Sequence, residues 1–136
     1  MIVDTSAIIA ILKLEPSHEA LTRAILADPD PKMSAATAVE LYAVADGRGQ
    51  PAQRKRVDAL LRSLRIRLVD FDPEQAQLAR DAYRDYGRGS GHPARLNLGD
   101  CFSYATAAAH DEPLLCVGND FQATDLRLVT LPETDS

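Results

Sequence analysis

An α/β fold with a mainly parallel central sheet is what this 136-residue sequence predicts, on three observations. Short apolar segments alternate with longer stretches of helical periodicity, capping residues stand where those stretches begin, and parallel neighbours need such crossovers. At 14.8 kDa the chain has length for one hydrophobic core, not two. Residues 1–132 are expected to form that domain and 133–136 a frayed tail.

Met1-Ile2-Val3 reads as a first strand, and Asp4-Thr5-Ser6 turns it into a helix through Ala7-Ile8-Ile9-Ala10-Ile11-Leu12. Lys32 to Ala36 is a weaker strand. It leads into a helix whose start is signalled by Thr37 and Glu40, which have capping-box spacing. Val57, Leu60, Leu61 and Leu64 follow helical spacing after Pro51, with Arg54, Lys55, Arg56 and Arg62 mostly on other faces. Ile66 to Phe71 alternates as a strand. Asp72-Pro73-Glu74 then supplies an N-cap, a first-turn proline and an early acid for a helix to about Tyr86. Tyr86 to Pro93 is rich in turn formers and reads as an exposed loop, after which Asn97 caps a helix over Leu98 to His110. Pro113 to Val117 is a buried strand, Gly118-Asn119-Asp120-Phe121 a turn, and Arg127 to Leu131 a last strand.

Composition removes several classes of function. The longest apolar run, Ala7 to Leu12, falls far short of the ~20 residues of a membrane span, and Asp4 stands where a signal peptide would carry positive charge. A cytoplasmic location is the expectation. Cys101 and Cys116 fit neither a redox pair nor a zinc set, and His18, His92 and His110 form no HExxH. There is no P-loop, no GxGxxG after a strand and no GxSxG elbow. The net charge of −5 is unevenly spread: Gly47 to Arg95 holds 11 Lys and Arg against 6 Asp and Glu, whereas the remainder holds 4 against 14. A basic middle between acidic flanks suits a polyanionic partner.

In parallel sheets ligands bind at the carboxyl ends of the strands, which makes the acids there informative. Asp4 ends the first strand, Glu40 is expected in the first turn of the helix after the second strand, Asp100 sits in the first turn of another, and Asp120 follows the Leu114 strand. Singly, each has an ordinary use at a helix N-terminus. Glu40 is then a capping partner for Thr37, and Asp100 for Asn97. Together, four carboxylates on one cleft repel one another unless protons or a cation neutralise them, and Mg²⁺ or Mn²⁺ prefers such oxygen ligands. Such a site suits phosphoryl chemistry.

With these residues in view, the chain resembles the VapC-type ribonuclease toxins of toxin–antitoxin pairs, which carry PIN domains. The resemblance rests on Val3-Asp4-Thr5-Ser6-Ala7, on Ser34 to Leu41, on Tyr86-Gly87-Arg88-Gly89 through His92 to Phe102, and on Gly118-Asn119-Asp120-Phe121 with Thr124-Asp125-Leu126. It implies an α/β/α PIN fold and a Mg²⁺- or Mn²⁺-dependent endoribonuclease using a metal-activated water, leaving 5′-phosphate and 3′-hydroxyl ends. It also implies a small cognate antitoxin as partner and a homodimer. The implied acid site is Asp4, Glu40, Asp100 and Asp120, with Asp4 and Asp100 as principal metal ligands. Many relatives carry two acids where this chain has Asn119-Asp120, so Asn119 is a neutral neighbour. Asp125 is either a fifth acid or a supporting residue. Thr5 or Ser6 orients a water or simply caps the first helix.

Arg80, Arg84 and Arg88 have the spacing of a helical stripe that follows an RNA backbone, or they pair locally, Asp81 with Arg84 and Asp85 with Arg88. His92 and Arg95 are nearer the acids in sequence and are further RNA-binding candidates. With 5% aromatics and no Trp, base stacking is not expected to dominate recognition. The competing reading is a non-catalytic PIN-like module that binds RNA or protein. A receiver-like phosphoacceptor is disfavoured because the late strands offer Arg127 but no Lys.

Overall fold

The computed structural model describes residues 1–47 and 49–131; the tail expected over 133–136 lies outside them. Four short strands, β1 (Ile2–Val3), β2 (Lys32–Ser34), β3 (Arg67–Val69) and β4 (Leu114–Leu115), form one sheet in the order β3-β2-β1-β4. Every pairing is parallel, with Ile2 opposite Leu114 on one side and Lys32 on the other. Six helices supply the crossovers: α1 (Thr5–Leu12), α2 (His18–Ala27), α3 (Ala35–Ala45), α4 (Pro51–Ser63), α5 (Pro73–Tyr86) and α6 (Leu98–His110).

Successive strand residues face opposite sides of a sheet, and here that alternation divides the core in two. Val3, Met33 and Leu115 pack with Ile8, Leu21, Ile25, Leu41 and Val57 beneath α1 to α4. Ile2 and Leu114 face the other way and pack with Ala79, Leu96, Cys101, Ala105 and Phe121 beneath α5 and α6. On that second side the Thr106 hydroxyl donates to Gln75 Oε1 at 2.7 Å, tying the two helices through a buried polar pair. The result is the expected α/β/α sandwich.

Three sequence expectations need correction. The α3 helix starts at Ala35, because the Ser34 hydroxyl accepts from the Ala36 N–H at 3.1 Å; Thr37 and Glu40 are no capping box. The segment Arg127 to Leu131 makes only an isolated parallel bridge, Leu114 to Leu128, instead of a strand. Helix α5 ends at Tyr86, so Arg88 is off the helix and cannot extend a stripe with Arg80 and Arg84. Helix α2 was not anticipated at all. By contrast α6 runs from Leu98 to His110 with the expected Asn97–Asp100 capping box.

The sheet order sets the place of the site. From β1 the chain first builds outward through β2 to β3, and β4 then adds to the opposite side of β1. Connections diverge at such a switch point and leave a crevice beyond the carboxyl ends, here between β1 and β4.

Candidate active site

Asp4 leaves β1 in an extended conformation and caps α1. Its backbone N–H donates to Leu115 O at 2.9 Å, which fixes it to the neighbouring strand. Its carboxylate is 4% exposed and fully engaged by neutral donors. Oδ2 accepts from the Ser6 N–H at 3.1 Å and the Ser6 hydroxyl at 2.7 Å, and Oδ1 accepts from the Ser103 hydroxyl at 2.6 Å. Ser6 Oγ in turn accepts from the Val117 N–H at 2.9 Å, joining the start of α1 to the exit of β4. Thr37 Oγ1 lies 3.2 Å from Ser103 Oγ and completes the chain from α6 to α3. No cation pairs with Asp4 among the described residues.

Glu40 belongs to the second turn of α3. Oε1 accepts from the Thr5 hydroxyl at 2.8 Å, so the two hydroxyls after Asp4 serve two different carboxylates. Glu40 Oε2 sits against the backbone of Gly99: a Cβ added at Gly99 would stand 1.4 Å from it. Glycine is ordinarily costly within a helix, and the close approach of this carboxylate accounts for it here. Asp100 follows, held by the reciprocal cap in which Asn97 N–H donates to Oδ2 at 3.0 Å and Asp100 N–H donates to Asn97 Oδ1 at 2.8 Å. Asp100 Oδ1 and Glu40 Oε2 accept no hydrogen bond from the described residues. Neither is among buried atoms lacking a partner, so both have access to solvent.

Asp120 is exposed in the turn after β4 and, with Asn119, forms one wall of a cleft of about 940 Å³. The loop after α5 lines the same cleft with Arg88, His92 and Arg95. Three of the four RNA-binding candidates thus share a cleft with Asp120. Arg84 does not line it; it pairs with Asp85 at 2.8 Å and Asp81 at 3.6 Å on the exposed face of α5. Asp125 meets none of the other acids in a hydrogen bond and instead accepts from the Tyr104 hydroxyl at 2.5 Å.

The electrostatics place Asp100 within reach of the other three acids. Burial pushes the Asp100 carboxyl up to about 6 against the lowering bond from Asn97, and Asp4, Asp120 and Glu40 push it further. Cys116 is raised to about 12 by burial and then by Asp4, Asp120 and Asp100. It and Cys101 are free thiols, and the latter is buried. As they lie, no three His, Cys, Asp or Glu side chains among the described residues are grouped closely enough to clasp an ion. Carboxylates without a counterion repel, and here each of three is drawn to a protein hydroxyl or amide. The donor set still fits a hard divalent cation: all oxygen, two oxygens free and solvent-accessible, and an accumulated negative charge that a cation would relieve.

Ser103 and Gly99 escaped the sequence reading, and Thr37 was read only as a cap. Ser103 stands three residues after Asp100, one turn along the same helix face, and that spacing was the available signal. Gly99 in the first turn of a helix was the other.

The fold and the acid crevice define a PIN domain, and the PIN domain family profile matches residues 1–126. The ribonuclease VapC42 of Mycobacterium tuberculosis is 51% identical over 127 residues, covering 93% of this chain and 97% of that protein. The chain therefore belongs to the VapC ribonucleases of the PIN-domain family. Solved structures share the fold: M. tuberculosis VapC20, a sarcin–ricin-loop-cleaving toxin, superposes with a TM-score of 0.72 at 18% identity over 96% of this chain and 98% of that one. VapBC2 of Rickettsia felis, bound to a DNA fragment from its promoter, gives 0.74 at 16% identity with the same coverages.

Proposed function

We propose that this chain is the toxin of a toxin–antitoxin pair and cuts RNA as a Mg²⁺- or Mn²⁺-dependent endoribonuclease acting in the cytoplasm. The observation that carries the reading is the buried Asp4 carboxylate at the end of β1, held by neutral donors with no positive partner among the described residues, with Asp4, Asp120 and Glu40 all acting on Asp100. Asp4, Asp100 and Glu40 would hold the cation, with Asp120 at its edge. When bound, such an ion polarises a phosphate oxygen and makes water a competent nucleophile at neutral pH.

The chain's own contribution is orientation. Ser6 and Ser103 fix the plane of Asp4 by donating to both its oxygens, and Thr5 directs Glu40. Those hydroxyl protons are committed to carboxylates, so neither Thr5 nor Ser6 donates to water in this arrangement. The Asn97 cap holds Asp100 Oδ2 and leaves Oδ1 free. No serine, threonine or cysteine in the crevice has a basic partner, in keeping with attack by water and with 5′-phosphate and 3′-hydroxyl products. Among the described residues no helix is long and apolar enough to cross a membrane.

The partners in this reading are single-stranded RNA, a small antitoxin and a second copy of the chain. A groove between α5 and α6, lined by Phe71, Tyr83, Leu98 and Phe102, offers exposed apolar surface for a protein contact. Purified protein should cut total cellular RNA at discrete sites with Mg²⁺ or Mn²⁺, with activity abolished by EDTA and by Asp4→Asn or Asp100→Asn. Intact RNA binding without cleavage under any metal would instead favour the non-catalytic module.

A further inference from the structure

The loop after α5 is built more firmly than an exposed glycine-rich segment needs to be. Its two ends are tied by Leu96 N–H donating to Tyr86 O at 2.8 Å and Arg88 N–H donating to Leu96 O at 3.0 Å. Within it, Gly89 and Gly91 adopt positive φ, and Arg95 does so at +50° despite its side chain. His92 is fixed twice. Its Nδ1 accepts from the Ala94 N–H at 3.1 Å, and its ring stands perpendicular to Tyr86 with centroids 4.8 Å apart.

An imidazole that accepts at Nδ1 carries its proton on Nε2, and Nε2–H is then a donor on a side chain that lines the same cleft as Asp120. Behind it stands a support that belongs to the core beneath α5 and α6. Tyr86 packs on Tyr104 at 5.6 Å, and Tyr104 donates to Asp125. The phenols of Tyr86 and Tyr104 are both raised, by burial first and by Asp125 next, so they stay protonated donors. Asp125 accordingly spends its carboxylate on the tyrosines, not on the acid crevice.

We propose that His92 grips a phosphate of the RNA strand next to the scissile one, and that Asp125 is a positioning residue acting on it through Tyr104 and Tyr86. This rests on the RNA-cutting reading but concerns strand placement, which is separable from cutting. The grip is to the backbone: the imidazole, packed against Tyr86, is the sole aromatic side chain lining the cleft among the described residues, and base stacking there is minimal.

The test measures affinity for a fluorescent single-stranded RNA in EDTA at pH 8, alongside Mn²⁺ affinity of the same proteins. His92→Ala and Asp125→Ala should each weaken RNA binding roughly three- to ten-fold, the worth of one phosphate hydrogen bond. The double variant should be no weaker than His92→Ala, because Asp125 acts through it. Neither should change the salt dependence, whereas Arg88→Ala or Arg95→Ala should reduce the log–log slope by about 0.7. Mn²⁺ affinity should stay within two-fold, which also reports a folded site, and Tyr104→Phe should reproduce Asp125→Ala. Unchanged RNA affinity in His92→Ala, additive losses in the double variant, or a ten-fold loss of Mn²⁺ affinity in Asp125→Ala would overturn the proposal. Each of those outcomes leaves metal-dependent cleavage by the wild-type protein, assayed separately, untouched.

Discussion

The two ends of the same sheet both gather carboxylates and treat them in opposite ways. At the amino ends of the strands, Lys32 bonds Glu112 at 2.8 Å and Asp30 at 3.3 Å, Arg67 bonds Asp30 at 2.9 Å, and the Met1 amine bonds Asp28 and Glu112. Asp30 is held down to about 2, chiefly by the Arg67 hydrogen bond, and Glu112 is lowered because Lys32 and the Met1 amine outweigh its burial. At the carboxyl ends Asp4, Glu40 and Asp100 have only hydroxyls and amides, and Asp100 rises to about 6. Chemically similar groups thus serve a charge-paired network at one end and a site held only by neutral donors at the other. What distinguishes them is the counterion, supplied by the chain at the amino ends and absent among the described residues at the carboxyl ends.

Neutralising the site should be the most damaging change to activity. Asp4→Asn or Asp100→Asn should lower kcat/KM for RNA by roughly 10³-fold, about 4 kcal/mol of transition-state stabilisation. The melting temperature in EDTA should hold or rise, since a like charge is removed and the amide oxygen preserves the cap. A comparable fall in melting temperature would mean that these acids are structural.

At the opposite end the expectation inverts. Lys32→Met strips the buried cation from Glu112 and Asp30 and should cost about 3 kcal/mol of stability, read by urea denaturation, because breaking one partner of a buried pair strands the other. The activity of the fraction still folded should be unchanged.

A pH series sharpens the same contrast. Asp100 has a folded-state value raised above its unfolded one, so its contribution to stability is full below about pH 4 and is lost as pH rises through about 6. In EDTA this should remove roughly 3 kcal/mol of unfolding free energy across that window relative to Asp100→Asn. With Mg²⁺ present, the cation should offset the loss, and kcat/KM should climb through about pH 6 as the carboxylate ionises.

The smallest effect tests packing within the site. Gly99→Ala places a methyl where Glu40 Oε2 now sits and should displace that carboxylate, lowering kcat about ten-fold, on the order of 1.4 kcal/mol. Stability should change little, since alanine favours the helix. Full activity in this variant would show that Glu40 is not needed where it stands.

How much of this was legible in the sequence depended on whether the signal was local. Helix α6 and its Asn97–Asp100 box follow from four adjacent residues, and the order of strands and helices from periodicity. Helix α2 was missed although Ala20, Leu21 and Ile25 bury one face of it, because Pro16-Ser17-His18 resembles loop and the apolar stripe is narrow. Thr37 and Glu40 had the spacing of a cap, but Ser34, three residues before Thr37, took that role, freeing Glu40 for Thr5. The acids themselves were legible as strand-end residues. Their orientation was not: Ser103 and Asp4 are 99 residues apart, and only the closed sheet brings a hydroxyl of α6 onto the end of β1. The Asp125–Tyr104 bond spans 21 residues and was invisible for the same reason.

The most direct test of the claim that the carboxyl-end acids await a cation is a titration of metal-free protein with Mn²⁺, following free Mn²⁺ by electron paramagnetic resonance at pH 7.5 and pH 5. Saturable binding at pH 7.5 that weakens at pH 5 and disappears in Asp4→Asn and in Asp100→Asn is the expected result. Absence of binding to the wild-type protein, or binding that survives in both variants, would contradict it.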